Sequence, residues 1–160
     1  MATRTQYEDL ARQIGVIGPV RRELGRALPP HCSTSSSVVL SLLRHHGELR
    51  LGRIAELLDV DVSVASRHLA YCVDRGWIER RCDPADKRSK LLRLSEAGER
   101  LLDDISDRYT EALAASLADW PDDDVVRLTE LMTRLRASFG LPPTVARGAH
   151  ATSTTNANAQ

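Results

Sequence analysis

The 160-residue chain carries no net charge, since 22 Lys and Arg are matched by 22 Asp and Glu. The total therefore says nothing for or against a polyanionic partner. No apolar run approaches the length of a bilayer span, and the opening MATRTQYEDLARQ lacks the apolar core of a signal peptide. A cytoplasmic protein with no membrane partner is expected. Cys32, Cys72 and Cys82 are an odd number without the spacing of a metal ribbon, which argues against a disulfide framework. Also missing are a Gly-rich phosphate loop, the pattern of a catalytic triad and a string of metal ligands. The length suits one domain with a dimer-forming extension and leaves no room for a second, catalytic one. No enzyme, no cofactor and no metal are expected.

What is present is unevenly placed. From Val62 to Arg93 there are eight Lys and Arg against four Asp and Glu, a local +4. From Leu94 to Gly140 the balance is five against eleven, a local −6. The basic stretch is the candidate phosphate-facing surface.

That stretch has a legible order. Ala65, Leu69 and Cys72 fall at i, i+4 and i+7, one face of a helix. Ser63, Ser66, Arg67 and His68 lie on the other face, and all of them donate hydrogen bonds. Asp61 or Ser63 serves as N-cap, and Gly76 is the stop. Trp77, Ile78 and Glu79 begin a strand, and Leu92 and Leu94 return on one face of its partner. Between the strands lies Asp83-Pro84-Ala85-Asp86-Lys87-Arg88-Ser89-Lys90, with three cations near its tip. Upstream, a short helix from Gly52 to Leu58 carries Ile54, Ala55, Leu57 and Leu58, and Asp59-Val60-Asp61 turns it into the donor-lined helix. This is a helix-turn-helix followed by a basic hairpin, a means of gripping duplex DNA with a helix in the major groove and a wing across the backbone.

The flanks read as helices. From Tyr7 to Leu28 the positions Tyr7, Leu10, Ile14, Ile17, Leu24 and Leu28 predict one helix, kinked at Gly15, Gly18 and Pro19. Arg21 interrupts its seam, either as a snorkelling side chain or interfacial ion pair, or as an anion anchor. Pro29-Pro30 ends it. A second helix starts at one of the nearby serines or Thr34, packs through Val39, Leu40 and Leu43, and closes at Gly47. Leu49 and Leu51 have the spacing of a short strand that pairs with the hairpin. After Ser95-Glu96 a long helix runs through Leu101, Leu102, Ile105, Tyr109, Ala112, Leu113 and Leu117 until Trp120-Pro121. Asp122, Asp123 and Asp124 open a final helix packing through Val125, Leu128, Leu131, Met132, Leu135 and Phe139.

The expected fold class is mainly α (α+β), a winged helix-turn-helix with a flanking α-helical dimerisation region. Its parts are an N-terminal dimerisation helix (1–30), the winged module (31–95), C-terminal dimerisation helices (96–141) and a small, polar, disordered tail (142–160). The flanking helices carry apolar stripes with nothing in the chain to cover them all, and the same surface of a second copy is the simplest cover, giving a homodimer.

Asp83-Pro84-Ala85-Asp86-Lys87-Arg88, followed by Leu92, Leu94, Ser95 and Gly98, resembles the wing signature of the MarR family of bacterial transcription regulators, D-x-x-D-x-R and then L-[ST]-x-x-G. Ser66-Arg67-His68-Leu69 with Gly76 is similar to that family's recognition helix, and the likeness spans roughly Tyr7 to Phe139 by order of elements. The resemblance implies a homodimer on double-stranded DNA at a pseudo-palindromic operator, usually as a repressor. It implies that Arg88 enters the minor groove with Asp86 holding it, a role that competes with ordinary turn chemistry for Asp86. Lys87 and Lys90 would contact phosphates. Arg67 has the fork for a guanine edge, while Ser63, Ser66 and His68 reach bases, phosphates or bridging water.

The resemblance further implies release by a small aromatic or anionic effector in a cleft between the dimer helices and the winged module, for which Arg21, Arg22, His45, His46 and Tyr109 are the candidate lining. The alternatives are oxidation of Cys32 or Cys82, a zinc response through His31, Cys32, His45 and His46, or a winged helix that binds protein.

Overall fold

The computed structural model describes residues 1–86 and 88–140, in two units that divide after Ala118. The first unit runs α1 (Arg4–Gly15), α2 (Gly18–Arg26), α3 (Thr34–His46), β1 (Leu49–Arg50), α4 (Leu51–Leu58), α5 (Val62–Asp74), β2 (Ile78–Cys82), β3 (Lys90–Leu94) and α6 (Glu96–Ser116). The second holds α7 (Asp122–Ser138). The chain is mostly helical, and its strands form one antiparallel sheet in the order β1-β3-β2, the winged-helix arrangement expected. Lys87, residue 141 and the tail (142–160) lie outside the described residues.

The core forms where the helix-turn-helix, the hairpin and α6 meet. Val39, Leu40 and Leu43 of α3, Ile54 of α4, and Ala65, Leu69 and Cys72 of α5 are buried together with Trp77, Ile78, Leu92, Leu101, Leu102 and Ile105. Each large apolar side chain so buried is worth about 1.5–3 kcal/mol. The α5 face is the one its periodicity marks, which turns Ser63, Ser66 and Arg67 outward. Ala55 is buried between α4 and the rest, where a larger side chain would push the two helices apart.

The N-terminus of α6 is fastened to the corner between α5 and β2. The Ser95 hydroxyl accepts from the Gly98 amide at 3.0 Å and donates to the Gly76 carbonyl at 2.5 Å, while the Ser95 amide donates to the Trp77 carbonyl at 3.0 Å. Gly76, at φ +72°, makes the corner possible. Gly98 is there for a different reason: a Cβ on it would stand 2.2 Å from the Trp77 carbonyl oxygen.

Four boundaries differ from expectation, one of them the end of α6, which comes at Ser116 and not at Trp120-Pro121. The stretch from Tyr7 to Leu28 is two helices, not one kinked helix, because Pro19 has no amide proton and is tolerated only in a first turn, where it sits in α2. Leu51 opens α4 and does not extend β1. Trp77 lies just before β2, its carbonyl taken by Ser95 instead of a strand partner.

Helix α1 has no buried residue, and Tyr7, Leu10 and Ile14 are about half exposed. In the second unit α7 likewise buries nothing and leaves Val125, Leu128, Leu131 and Met132 open.

Candidate nucleic-acid interface

Helix α4 ends on Asp59 in the left-handed region (φ 53°), and the Val60 amide donates back to the Ala55 carbonyl at 3.1 Å. The turn is thereby closed, and Asp61 sits at the N-cap of α5 with extended backbone but no side-chain capping bond. Its carbonyl instead accepts from the Val64 and Ala65 amides, each at 3.0 Å. Ser63, Ser66 and Arg67 are exposed and His68 is half-buried.

The wing is set by strand register. Ile78 pairs with Leu94, Arg80 with Leu92 and Cys82 with Lys90, so these residues share the inner face. Glu79, Arg81 and Arg93 occupy the outer face, where Arg93 donates to Glu79 at 2.7 Å and Arg81 to Glu48 at 3.1 Å. At the last pair the Lys90 ammonium donates to the Cys82 sulfur at 3.2 Å.

Two carboxylates organise the loop between the strands. Asp86 accepts from the Arg88 amide at 3.0 Å and from the Ser89 hydroxyl at 2.8 Å. These bonds, the Ser89 hydroxyl first, hold its carboxyl below the usual range. Asp86 thus fixes Arg88 by its backbone, which is turn chemistry. The Arg88 guanidinium is exposed and has no hydrogen-bond or ion-pair partner among the described residues.

Asp83 is buried. One of its carboxylate oxygens takes both Nε (2.8 Å) and a terminal nitrogen of Arg50, and the other accepts from the Ala85 amide at 2.8 Å. The Arg50 bond is the main reason its carboxyl is held below the ordinary value, with the Ala85 amide next. Arg50 belongs to β1, so this pair ties the mouth of the wing to the neighbouring strand. Reading the sequence missed Arg50 and gave Asp83 no role. The available signal was an acid at the mouth of a hairpin, where burial demands a partner.

The candidate effector residues are brought together only in part. Arg21 and Arg22 line a surface recess of about 450 Å³ with Arg26 and Thr34. Tyr109 is half-buried, and its phenol is pushed up by burial and by Cys32, against the pull of Ser37 and Arg21. His45 and His46 stack edge-on against each other, 4.6 Å apart, at the far end of α3.

Burial pushes the Cys32 thiol up to about 11, with Cys72 adding to the rise, and burial raises Cys72 as well. Both stay protonated at neutral pH, which speaks against Cys32 as a reactive thiolate. Among the described residues no three His, Cys, Asp or Glu are grouped as metal ligands, and no helix is long and apolar enough to cross a membrane.

Residues 33–90, the span from the N-cap of α3 to the return strand of the wing, match the model of the MarR family. The chain is 27% identical over 139 residues to the uncharacterized HTH-type transcriptional regulator YpoP of Bacillus subtilis, covering 84% of this chain and 97% of that one. Its fold matches the crystal structure of RV1404 from Mycobacterium tuberculosis with a TM-score of 0.75 at 17% identity, over 90% of this chain and 100% of that one. It also matches a mutant MarR from E. coli complexed with operator DNA, with a TM-score of 0.61 at 22% identity over 84% and 99% of the two chains. With the wing signature, the donor-lined α5 and the three-stranded sheet in place, the chain is similar over residues 33–90 to the MarR family and along most of its length to an HTH-type transcriptional regulator, and its fold is that of a winged helix.

Proposed function

We propose that the protein is a homodimeric repressor of the cytoplasm that binds a pseudo-palindromic operator and leaves it when a small aromatic or anionic effector binds. The observation that carries the DNA reading is the pairing of two surfaces. The exposed Ser63, Ser66 and Arg67 face of α5 lies beside a wing whose loop is braced by Asp83 and Asp86 and ends on an exposed Arg88. Arg67 reads a base edge, for which its fork suits guanine, while Ser63, Ser66 and the half-buried His68 contact phosphates, bases or bridging water. Arg88 enters the narrow minor groove, where negative potential is concentrated, and Lys87 and Lys90 take phosphates. The operator-bound E. coli MarR of the same fold supports this placement.

The uncovered apolar faces of α1 and α7 support a second copy as the partner, and two copies set two α5 helices against adjacent major grooves. A dimer so seated occludes a promoter, which is why repression is the reading adopted. The recess holding Arg21 and Arg22, with Tyr109 under the influence of Arg21, supports an anionic effector.

A DNase footprint on DNA flanking its own gene tests the core of this. The expected result is a two-fold symmetric site with half-sites about 10 base pairs apart, weakened by added salt. Arg67→Ala should relax choice at particular base pairs by about 1–3 kcal/mol, whereas Arg88→Ala should weaken most sequences. Equal, sequence-independent losses from both would refute that division.

A further inference from the structure

Arg80 and Arg81 are neighbours of identical chemistry, and the strand register sends them to opposite faces of the wing. Arg81 is on the outer face and is paired with Glu48 at 3.1 Å. Arg80 is on the inner face and has no hydrogen-bond or ion-pair partner among the described residues. It lines a groove of about 600 Å³ between α5 and the hairpin, with Ser66 on the opposite wall, Lys90 beside it, and Leu69 and Leu92 forming part of the apolar floor.

The other charges in that groove are already engaged. Arg50 is held by Asp83, and Arg53 is paired with Glu56 at 2.8 Å. Among the described residues the cations left to face a ligand are Arg80 and Lys90, whose ammonium donates there only to the weak acceptor sulfur of Cys82. An unpaired guanidinium and an ammonium over an apolar floor, with a serine hydroxyl across from them, suit a single tetrahedral oxyanion. The groove opens between the two elements assigned to the major groove and to the backbone, where a DNA strand has to pass.

We propose that this groove is a phosphodiester seat, and that Arg80, together with Lys90 and Ser66, clamps one backbone phosphate of the bound duplex between the recognition helix and the wing. The inference rests on the DNA-binding reading and deepens it: the contact surface is continuous from helix to wing tip, and Arg80 contributes affinity without sequence choice.

The test is a salt series of fluorescence anisotropy on a labelled mixed-sequence duplex of about 30 base pairs, long enough for both half-sites of a dimer. Arg80→Gln should lower affinity several-fold and reduce the slope of log K against log salt by about 0.9 per bound protomer. Arg80→Lys should keep the slope, because a cation remains, and Arg81→Gln should keep it as well. Equal thermal midpoints for all variants confirm that the exposed substitutions leave the fold intact. A wild-type slope for Arg80→Gln, or an equal fall for Arg81→Gln, overturns the seat while leaving DNA binding in place. Failure of the wild-type protein to bind the duplex at low salt overturns both readings, and that outcome is visible before any variant is made.

Discussion

Asp83 and Asp86 stand three residues apart in one loop and grip different things. Asp83 reaches across to Arg50 on another strand, and Asp86 closes the loop on itself through Arg88 and Ser89. Both residues are visible in the sequence as a signature. The sequence left open whether Asp86 holds a guanidinium or a turn, because either is within reach of a carboxylate two residues away. Gly98 is a similar case: its place in the signature was legible, but the reason was not, since that requires knowing that the Trp77 carbonyl lies 2.2 Å from where a Cβ would be. Gly98→Ala should therefore destabilise the protein by at least about 2 kcal/mol, through displacement of α6 from the α5–β2 corner. Chemical denaturation checks this. A midpoint equal to that of the wild type would mean that the corner yields freely and that Gly98 has no packing role.

At the scale of elements, periodicity read α3, α5 and the first half of α6 well because each buries one face against a single core, and burial is what periodicity encodes. It failed between α1 and α2, where the apolar spacing of three and four residues runs on across the break at Val16-Ile17. The wing has its own energetics, since it is braced by two carboxylates and not by a core. Both have folded-state pKa values below their ordinary ones. A depressed pKa means that the bonds stabilise the wing fully above the unfolded value of about 3.9. The stabilisation fades as pH falls through the lower, folded values. The Ala85 and Arg88 amides, which donate to these carboxylates, should therefore show NMR titrations with midpoints below about 3.9. Midpoints at or above that value would show that the braces do not persist in solution. Asp83→Asn should loosen the wing at neutral pH and weaken DNA binding, while leaving the base preference proposed for Arg67 unchanged.

On the scale of the whole molecule, the question is what covers the apolar stripes of α1 and α7, neither of which has a buried residue. Leu128, Leu131 and Met132 on α7, and Leu10 and Ile14 on α1, are each 43–49 % exposed. Apolar surface left in water forgoes about 25 cal/mol per Å², so stripes of this length favour association. The stripes themselves were legible in the sequence. Their cover was not, because residue spacing marks which face must be buried and is silent on whether the partner is the same chain or another. In the proposed dimer a second copy presents the same stripes and closes the set by two-fold symmetry. Light scattering should then give twice the 17.7 kDa chain mass, and the thermal midpoint should rise with protein concentration, as it does when association is linked to folding. Leu131→Asp and Ile14→Asp, tested separately, ask which stripe contributes. Each should shift the equilibrium toward monomer, and each should weaken DNA binding far more than it alters the wing titration above, because one winged module holds only one half-site. A wild-type mass of 17.7 kDa with a concentration-independent midpoint would refute the dimer and leave the faces of α1 and α7 to a different protein.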